Sequence, residues 1–424
     1  MTTRIEVTKK YAAAYVAAPK KQKGVILDTV VAITGWNRDH ARQQLHRRVN
    51  QPPGRAEATV TVMDRRRRKG CKYSFDARKV LQRVWAISGG ISGKYLAVAM
   101  GELLEALEAH GGLVPGQDRY SPAVRAELLA ISPATIDRYL APARARDRVH
   151  GKSTTKPGAL LRNSITIRKA GDEVEDEPGF FEADTVAHCG PSLKGEFARS
   201  VNLTDVHIGW VFTRAIRNNA RVHVLAALQD GFEAIPYLVS GLDFDNGSEF
   251  INHDVVNWAA DKDIYFTRGR PYKKNDQATI ESKNNHLVRR YAFHFRYDTG
   301  AELAVLNELW PLVNDRLNYF MPTKKPIGWS SDRSGRRKRL YDTPKTPYHR
   351  LLDSGILSWA QQAELTAYKA TLDPLQIAEQ IDRLQQRLID LAAEKTHNLE
   401  IEVQTQNNHR IPEPSGVKIH RPAS

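Results

Sequence analysis

One stretch limits the fold of this chain more than any other. From Phe180 to Arg290 the hydrophobic pattern switches repeatedly between the two-residue period of strands and the longer period of helices. Phe180–Ala187, Glu196–Asp205 and Ile208–Ile216 read as three consecutive strands. Asn219 can cap a helix over Ala220–Gln229 that Gly231 closes. Pro236–Phe244 reads as a fourth strand, Glu249–Ala260 as a helix, Ile264–Thr267 as a short fifth strand and Gln277–Tyr291 as a last helix. Three strands followed by alternating helices and strands predict a mixed α/β sheet covered by helices. The same stretch carries three acids in distinct contexts: Asp184 in FFEADTVAH, Asp245 in GLDFDNGSEF and Glu281 in KKNDQATIESKNNHLVRR. Sixty residues separate the first two and thirty-five the second two.

Their placement suits metal-assisted chemistry. Asp184 falls in mid-strand, Asp245 at a strand end and Glu281 on a helix, so one sheet can assemble them. Hard carboxylate oxygens are what Mg²⁺ prefers. Two such ions about 3.5–4 Å apart can activate an attacking oxygen and stabilise a leaving one in phosphoryl transfer. Two neighbours are rivals for ligand positions: Asp243 shares a strand face with Asp245, and Glu182 with Asp184. Glu249 has a structural role instead. Ser248 caps the next helix and Glu249 sits in its first turn, where a negative charge is favourable. On the last helix Asn285 and Arg289 share the face of Glu281, and with Lys273 and Lys274 they are candidates for phosphate contact.

Charge explains what lies outside this stretch. Met1 to Ala170 holds 32 Lys and Arg against 13 Asp and Glu, whereas the remainder holds 31 against 35. A basic excess confined to one part of a chain points to a polyanionic partner. Residues 1–23 read as a basic, poorly ordered arm. An apolar run over Val25–Ile33, a break at Thr34-Gly35-Trp36 and a basic helix capped by Asn37 over Arg38–Val49 make a helix-turn-helix pattern. Ala41 and Leu45 would face inward, leaving Arg38, Arg42, Arg47 and Arg48 for DNA. Arg65, Arg66, Arg67 and Arg68 follow in a loop suited to phosphates or a minor groove. A second helical unit has helices over Arg78–Ile87, Lys94–His110, Pro122–Leu129 and Ala134–Ala145. The last, after Ser132-Pro133, resembles a second recognition helix and carries Arg138 and Arg144. Cys71 and Cys189 are too few for a disulfide framework and lack zinc-finger spacing. With no apolar run of about 18 residues, a cytoplasmic, nucleoid-associated protein is expected, without membrane contact.

The acids and their surroundings resemble the DDE integrase and transposase superfamily, which includes retroviral integrases and bacterial insertion-sequence transposases. The strand order matches the ribonuclease-H-like fold of polynucleotidyl transferases, and the interval between Asp245 and Glu281 is that superfamily's spacing. PGFFEADTVAHCG, TRGRPYKKND and TPYHRLLDSG are similar to a bacterial transposase subgroup with an integrase catalytic core. The resemblance implies that Asp184, Asp245 and Glu281 bind two Mg²⁺, which Mn²⁺ can replace. It also implies cleavage at transposon ends and joining of 3′ hydroxyls to target DNA, with the protein as a dimer or higher multimer on double-stranded DNA. No His/Cys zinc module precedes the core, as it does in retroviral integrases, and Ala278-Thr279-Ile280 and Ser282 flank Glu281 atypically. The alternative class is a sequence-specific DNA-binding regulator with an inactive core, against which all three acids speak.

The expected organisation is an N-terminal arm and helix-turn-helix unit over 1–50, a second helical DNA-binding unit over 51–146 and a linker over 147–179. A ribonuclease-H-like catalytic domain with a five-stranded mixed sheet spans 180–325. A basic C-terminal module that contacts DNA spans 326–372, a heptad-patterned helix 373–396 and a disordered tail 397–424. In the heptad helix Ile377, Ile381, Leu384, Leu388 and Leu391 form a seam that either pairs protomers or packs on its own chain.

Overall fold

The computed structural model describes residues 2–49, 72–146, 166–168, 177–244, 253–262, 264–269, 284–331 and 337–408. It divides into two compact units, Met1–Lys72 and Tyr73–Ser424. The described part of the first unit is three helices: α1 (Thr2–Ala17), α2 (Lys20–Thr34) and α3 (Arg38–Val49). The expected poorly ordered arm is instead helical. Its KKYAAAYVAA run is rich in the strongest helix former, and Ala12 and Tyr15 bury against Leu27, Val30, Ala41 and Leu45. The turn between α2 and α3 follows the sequence reading. Gly35 takes the left-handed conformation at φ 69°, and the Asn37 side chain accepts the His40 N–H at 2.8 Å.

The second unit begins with four helices: α4 (Phe75–Ile87), α5 (Gly93–Ala109), α6 (Pro122–Ala130) and α7 (Pro133–Arg146). Ser74 and Ser121 cap α4 and α6 through Ala77 N and Val124 N. Leu96, Met100, Leu103, Leu104 and Leu107 form the buried stripe of α5. Gly93 permits the close crossing of α5 and α7, since a Cβ there would lie 2.4 Å from the Pro133 carbonyl oxygen. These helices do not have a core to themselves. Their buried residues continue into those of the sheet and the C-terminal helices as a single cluster from Tyr73 to Ala392.

The sheet comprises β1 (Thr166–Arg168), β2 (Phe180–Ala187), β3 (Arg199–Asp205), β4 (Val211–Ile216), β5 (Gly241–Phe244) and β6 (Tyr265–Gly269), in the order β1-β6-β5-β2-β3-β4. β2, β3 and β4 form an antiparallel meander, and β5, β6 and β1 extend it in parallel from β2. This is the ribonuclease-H-like arrangement, with six strands where the sequence suggested five. The extra strand, β1, comes from the stretch expected to be a pure linker. Its β-branched Thr166 and Ile167 pair with Thr267 and Arg268, closing an edge that would otherwise present unpaired backbone groups.

Helices α8 (Arg221–Ala234) and α9 (His253–Asp261) alternate with β5 and β6. α8 packs on β3 and β4 where Gly231 leaves room for Leu203 and Phe212. Helix α10 is π-helical over Asn284–Arg289 and α-helical over Arg290–Ala292. Helix α11 (Gly300–Asp315), begun by a Thr299–Glu302 capping box and continued by a π-helical turn over Arg316–Phe320, covers the β4 edge by an unusual device. The Asn307 side chain exchanges two hydrogen bonds with the Ala215 backbone at 2.9 and 3.0 Å. Asn318 does the same with Val211 at 2.9 Å each, and Asn314 donates to the Thr213 oxygen at 3.4 Å. Amide side chains thus occupy the positions a further strand would use.

Beyond the sheet, β7 (Pro326–Ser331) and β8 (Arg337–Tyr341) form an antiparallel hairpin. α12 (Pro347–Ser354), α13 (Trp359–Thr371) and α14 (Pro374–Asn408) complete the chain. In α14 Ile377, Ile381 and Leu388 are buried and Leu384 packs against the same core, so the seam is used within the chain, chiefly against α11. Leu391 is exposed. The helix extends through residues 397–408, the first part of the expected disordered tail. No helix of the described residues is long and apolar enough to cross a membrane.

Candidate active site

Asp184 lies near the centre of β2, the central strand of the sheet. It pairs in register with Asn202 on β3. Its side chain is half-buried, and one carboxylate oxygen accepts the Thr185 N–H at 2.7 Å. On the other side β2 runs parallel to β5, and the residue before Asp184, Ala183, is paired with Phe244. Phe244 is followed directly in the chain by Asp245. Asp245 and Glu281 lie outside the described residues, as do Arg65, Arg66, Arg67, Arg68, Lys273, Lys274 and the side chain of Asn285.

The two rival acids are described, and their surroundings differ from that of Asp184. Glu182 and Asp243 are neighbours across β2 and β5 and are only 5% and 1% exposed. Asp243 accepts a hydrogen bond from Thr267 Oγ1 at 2.6 Å. A carboxylate sunk to that depth has no room for the waters and substrate oxygens that Mg²⁺ keeps in its shell. Asp184 shares their sheet face, because residues two apart in a strand point the same way, but sits closer to the C-terminal end of β2 and meets solvent. Among the described residues no cluster of three or more His, Cys, Asp or Glu groups is arranged to hold a metal. A hard oxygen donor at Asp184 nonetheless fits a divalent cation.

Helix α10 is held to the same strand. Arg289, expected as a phosphate contact, donates through Nη2 to the Ala187 carbonyl at 2.9 Å. Burial lowers its pKa, yet a guanidinium remains charged at any working pH. His188, on the face of Asp184, is fully buried and its Nε2 lies 2.8 Å from Ser200 Oγ. Burial first, then the charge of Arg289 and the proximity of His294, hold its pKa well below the usual range. His294 is depressed by burial and by Arg289. The loop between β2 and β3 is organised by Arg296, whose guanidinium donates to the carbonyls of Cys189, Ser192, Lys194 and Glu196 and to Asp298 at 2.5–3.2 Å. Sequence reasoning passed over His188, His294 and Arg296. The HFR run after Ala292 carried no periodic signal, and a buried Arg is identified by its distant carbonyl partners, which a sequence does not display.

The basic residues of the helices have varied surroundings. On α3, Arg38 forms an ion pair with Asp28 and Arg42 pairs with Asp39 at 2.5 Å. Arg47 is exposed and Arg48 half-buried. On α7, Arg138 is exposed, with a hydrogen bond to Thr135 Oγ1 at 3.1 Å. Arg144 is drawn into the fold. It pairs with Asp137 at 2.5 Å, donates to the Ile91 carbonyl at 3.1 Å and lies 5.9 Å from the centre of the Trp85 ring.

The family model of the integrase core domain matches residues 175–274, from just before β2 to just beyond β6. A protein of Sinorhizobium fredii (strain NBRC 101917 / NGR234), named uncharacterized protein y4rM, is 34% identical over 325 residues, which is 77% of this chain and 88% of that one. Among solved structures, the catalytic core domain of BIV integrase matches 45% of this chain and 98% of its own length, at 18% identity and a TM-score of 0.27.

Proposed function

We propose that this chain, which belongs to the DDE integrase and transposase superfamily, is a DNA transposase that cleaves DNA at transposon ends and joins the 3′ ends to target DNA. The observation that carries the reading is the register of β2 and β5. Ala183 and Phe244 are paired, and each immediately precedes one of the first two acids. Neighbouring strands lie about 4.8 Å apart, so this register supports Asp184 and Asp245, each one position on in the chain from a paired residue, as two ligands of one site. Glu281 stands three positions before Asn284, where the described helix α10 begins, and the far end of that helix is bonded to β2.

In this reading Asp184, Asp245 and Glu281 hold divalent cations, Mg²⁺ or Mn²⁺. A metal pair held by these three acids would supply activation of the attacking oxygen and neutralisation of charge on the phosphate and the leaving oxygen. The protein's own residues then have three tasks. The rigid sheet fixes Asp184, with the Thr185 N–H orienting its carboxylate. Exposed basic side chains such as Arg47 and Arg138 bind the DNA backbone. Sequence is read by a recognition helix entering the major groove, for which α3 is the candidate. Joining two ends calls for a dimer or higher multimer on double-stranded DNA.

The test is strand transfer with the chain's own terminal DNA, comparing the wild type with Asp184→Asn. The variant is expected to lose strand transfer while binding DNA as the wild type does in Ca²⁺. Strand transfer at the wild-type rate by this variant would sink the assignment of Asp184, whereas DNA binding without strand transfer by the wild type would favour a DNA-binding regulator.

A further inference from the structure

The hairpin of β7 and β8 is a sheet of two strands, separate from the main sheet. A two-stranded hairpin is marginal by itself, and this one is fastened at its base. The Lys325 N–H donates to Asp342 Oδ1 at 2.6 Å, and the Lys325 ammonium donates to the Val206 carbonyl at 2.6 Å. The Asp342 N–H donates back to the Lys325 carbonyl at 2.9 Å, and Asp342 Oδ2 accepts from Arg350 of α12 at 2.6 Å. The base is thereby tied to the residue that follows β3 and to α12.

Beyond that base the hairpin presents aromatic side chains to solvent. Trp329 is 56% exposed and Tyr341 42%. Trp329 pairs in register with Arg339, and Tyr341 stands two residues on from Arg339, so all three share one face. Each ring has a cation at it. The Arg339 guanidinium lies 5.5 Å from the centre of the Trp329 ring, and Lys324 Nζ lies 4.2 Å from that of Tyr341. Trp310, Tyr297 and Phe244, by contrast, are fully buried in the core, to which neither Trp329 nor Tyr341 belongs.

We propose that this face of the hairpin binds single-stranded DNA, with Trp329 and Tyr341 stacking on unpaired bases and Lys324 and Arg339 holding the adjoining phosphates. A duplex keeps its base faces stacked inside and offers phosphates and groove edges, and phosphates call for cations alone. Exposed rings with cations beside them suit a strand whose bases are unstacked, since every base has a π-face and every nucleotide a charge. Diagonal neighbours on one hairpin face lie about 7–8 Å apart, within reach of neighbouring nucleotides of an extended strand. The cations at both rings favour a polyanion over a second copy of this chain as the occupant. The use of the site rests on the transposase reading, in which cleavage and joining leave unpaired nucleotides, whereas the stacking itself does not depend on the three acids.

The test measures binding of the full chain to a labelled thymidine oligonucleotide of about 12 nucleotides, and to a duplex of equal length, by fluorescence anisotropy. Trp329→Ala is expected to weaken oligonucleotide binding about tenfold while duplex affinity stays within about twofold. Trp329→Phe, which keeps a ring, should retain most of the affinity. Tyr341→Ala should act in the same direction, and it decides the matter if Trp329→Ala does not fold. Arg339→Gln should reduce the slope of log oligonucleotide affinity against log salt by about 0.7. Equal losses on both DNAs would make the hairpin a general backbone contact and overturn the inference. So would unchanged oligonucleotide binding by both aromatic variants. Dissociation of a multimer by Trp329→Ala in sedimentation, with oligonucleotide affinity intact, would overturn it in favour of an interface between copies of the chain. Strand transfer by the wild type on the chain's own terminal DNA separates the two levels. If transfer occurs and Trp329→Ala binds the oligonucleotide normally, the stacking site alone fails. If no transfer occurs while oligonucleotide binding depends on Trp329, the site stands and the transposase reading fails.

Discussion

The chain contains two segments that read alike, a turn followed by a basic helix: α2–α3 in the first unit and α6–α7 in the second. Their surroundings differ. α3 buries only Ala41 and Leu45 in a small three-helix core and leaves Arg47 exposed. α7 buries Ile136 and Leu140 in the extended core shared with the sheet, and its Arg144 is bonded to Asp137 and to the Ile91 carbonyl. One basic helix keeps a charge available for a partner, and the other turns one into internal cement. The same residue type in the same local pattern does different work according to what packs behind it.

Four substitutions can break or sharpen that contrast. The largest effect is expected from Gly93→Ala, which forces a Cβ against the Pro133 carbonyl where α5 meets α7. It should destabilise the second unit by about 3 kcal/mol, read by urea unfolding with tryptophan fluorescence, and a neutral result would show that this crossing is loose. Arg144→Ala should cost about 1.5 kcal/mol, chiefly through the lost carbonyl hydrogen bond and Trp85 packing, because the half-exposed ion pair is screened. If Arg144→Ala instead weakened DNA binding at unchanged stability, α7 would belong with α3.

Asp315 gives a smaller, pH-dependent effect. Burial pushes its pKa up to about 6, with the Tyr368 hydroxyl opposing the shift. The protonated acid is therefore favoured by folding. Its contribution is fully present below the ordinary carboxylate range near 3.8 and is lost as pH rises through about 6. Asp315→Asn should flatten the stability profile between these limits, measured by urea midpoints at several pH values. An unchanged profile would show that Asp315 titrates like an exposed acid. Smallest in stability is Arg47→Ala, expected within about 0.5 kcal/mol of the wild type. Its signature is in DNA binding, where the slope of log affinity against log salt should decrease by about 0.9 if one phosphate contact is lost. A full wild-type slope would remove Arg47 from the DNA-facing set.

What the sequence displayed follows from local periodicity and covalent order. The helix that became α5, the Asn37 cap, the Gly35 turn and the strands around Asp184 are all patterns within a few residues, and the structure has them. Strand alternation also put Glu182 with Asp184 and Asp243 with Asp245. It did not tell which acid of the first pair meets solvent. That depended on depth in the sheet, where Glu182 is enclosed across from Asp243 and Asp184 is not.

Tertiary structure decided the rest, for one physical reason: a charged or amide side chain acquires its role from partners distant in sequence. Arg289 and Arg296 reach carbonyls about a hundred positions away, Asn307 and Asn318 replace a strand at the β4 edge, and the seam of α14 meets α11 rather than a second chain. The alanine-rich N-terminal helix likewise became stable only through α2 and α3, since an isolated helix of its length is marginal in water. The sequence by itself determined the order of strands and helices from β2 to α10 and the spacing of the three acids. Only the packing of distant elements determined which cations bind the fold together and which remain for DNA.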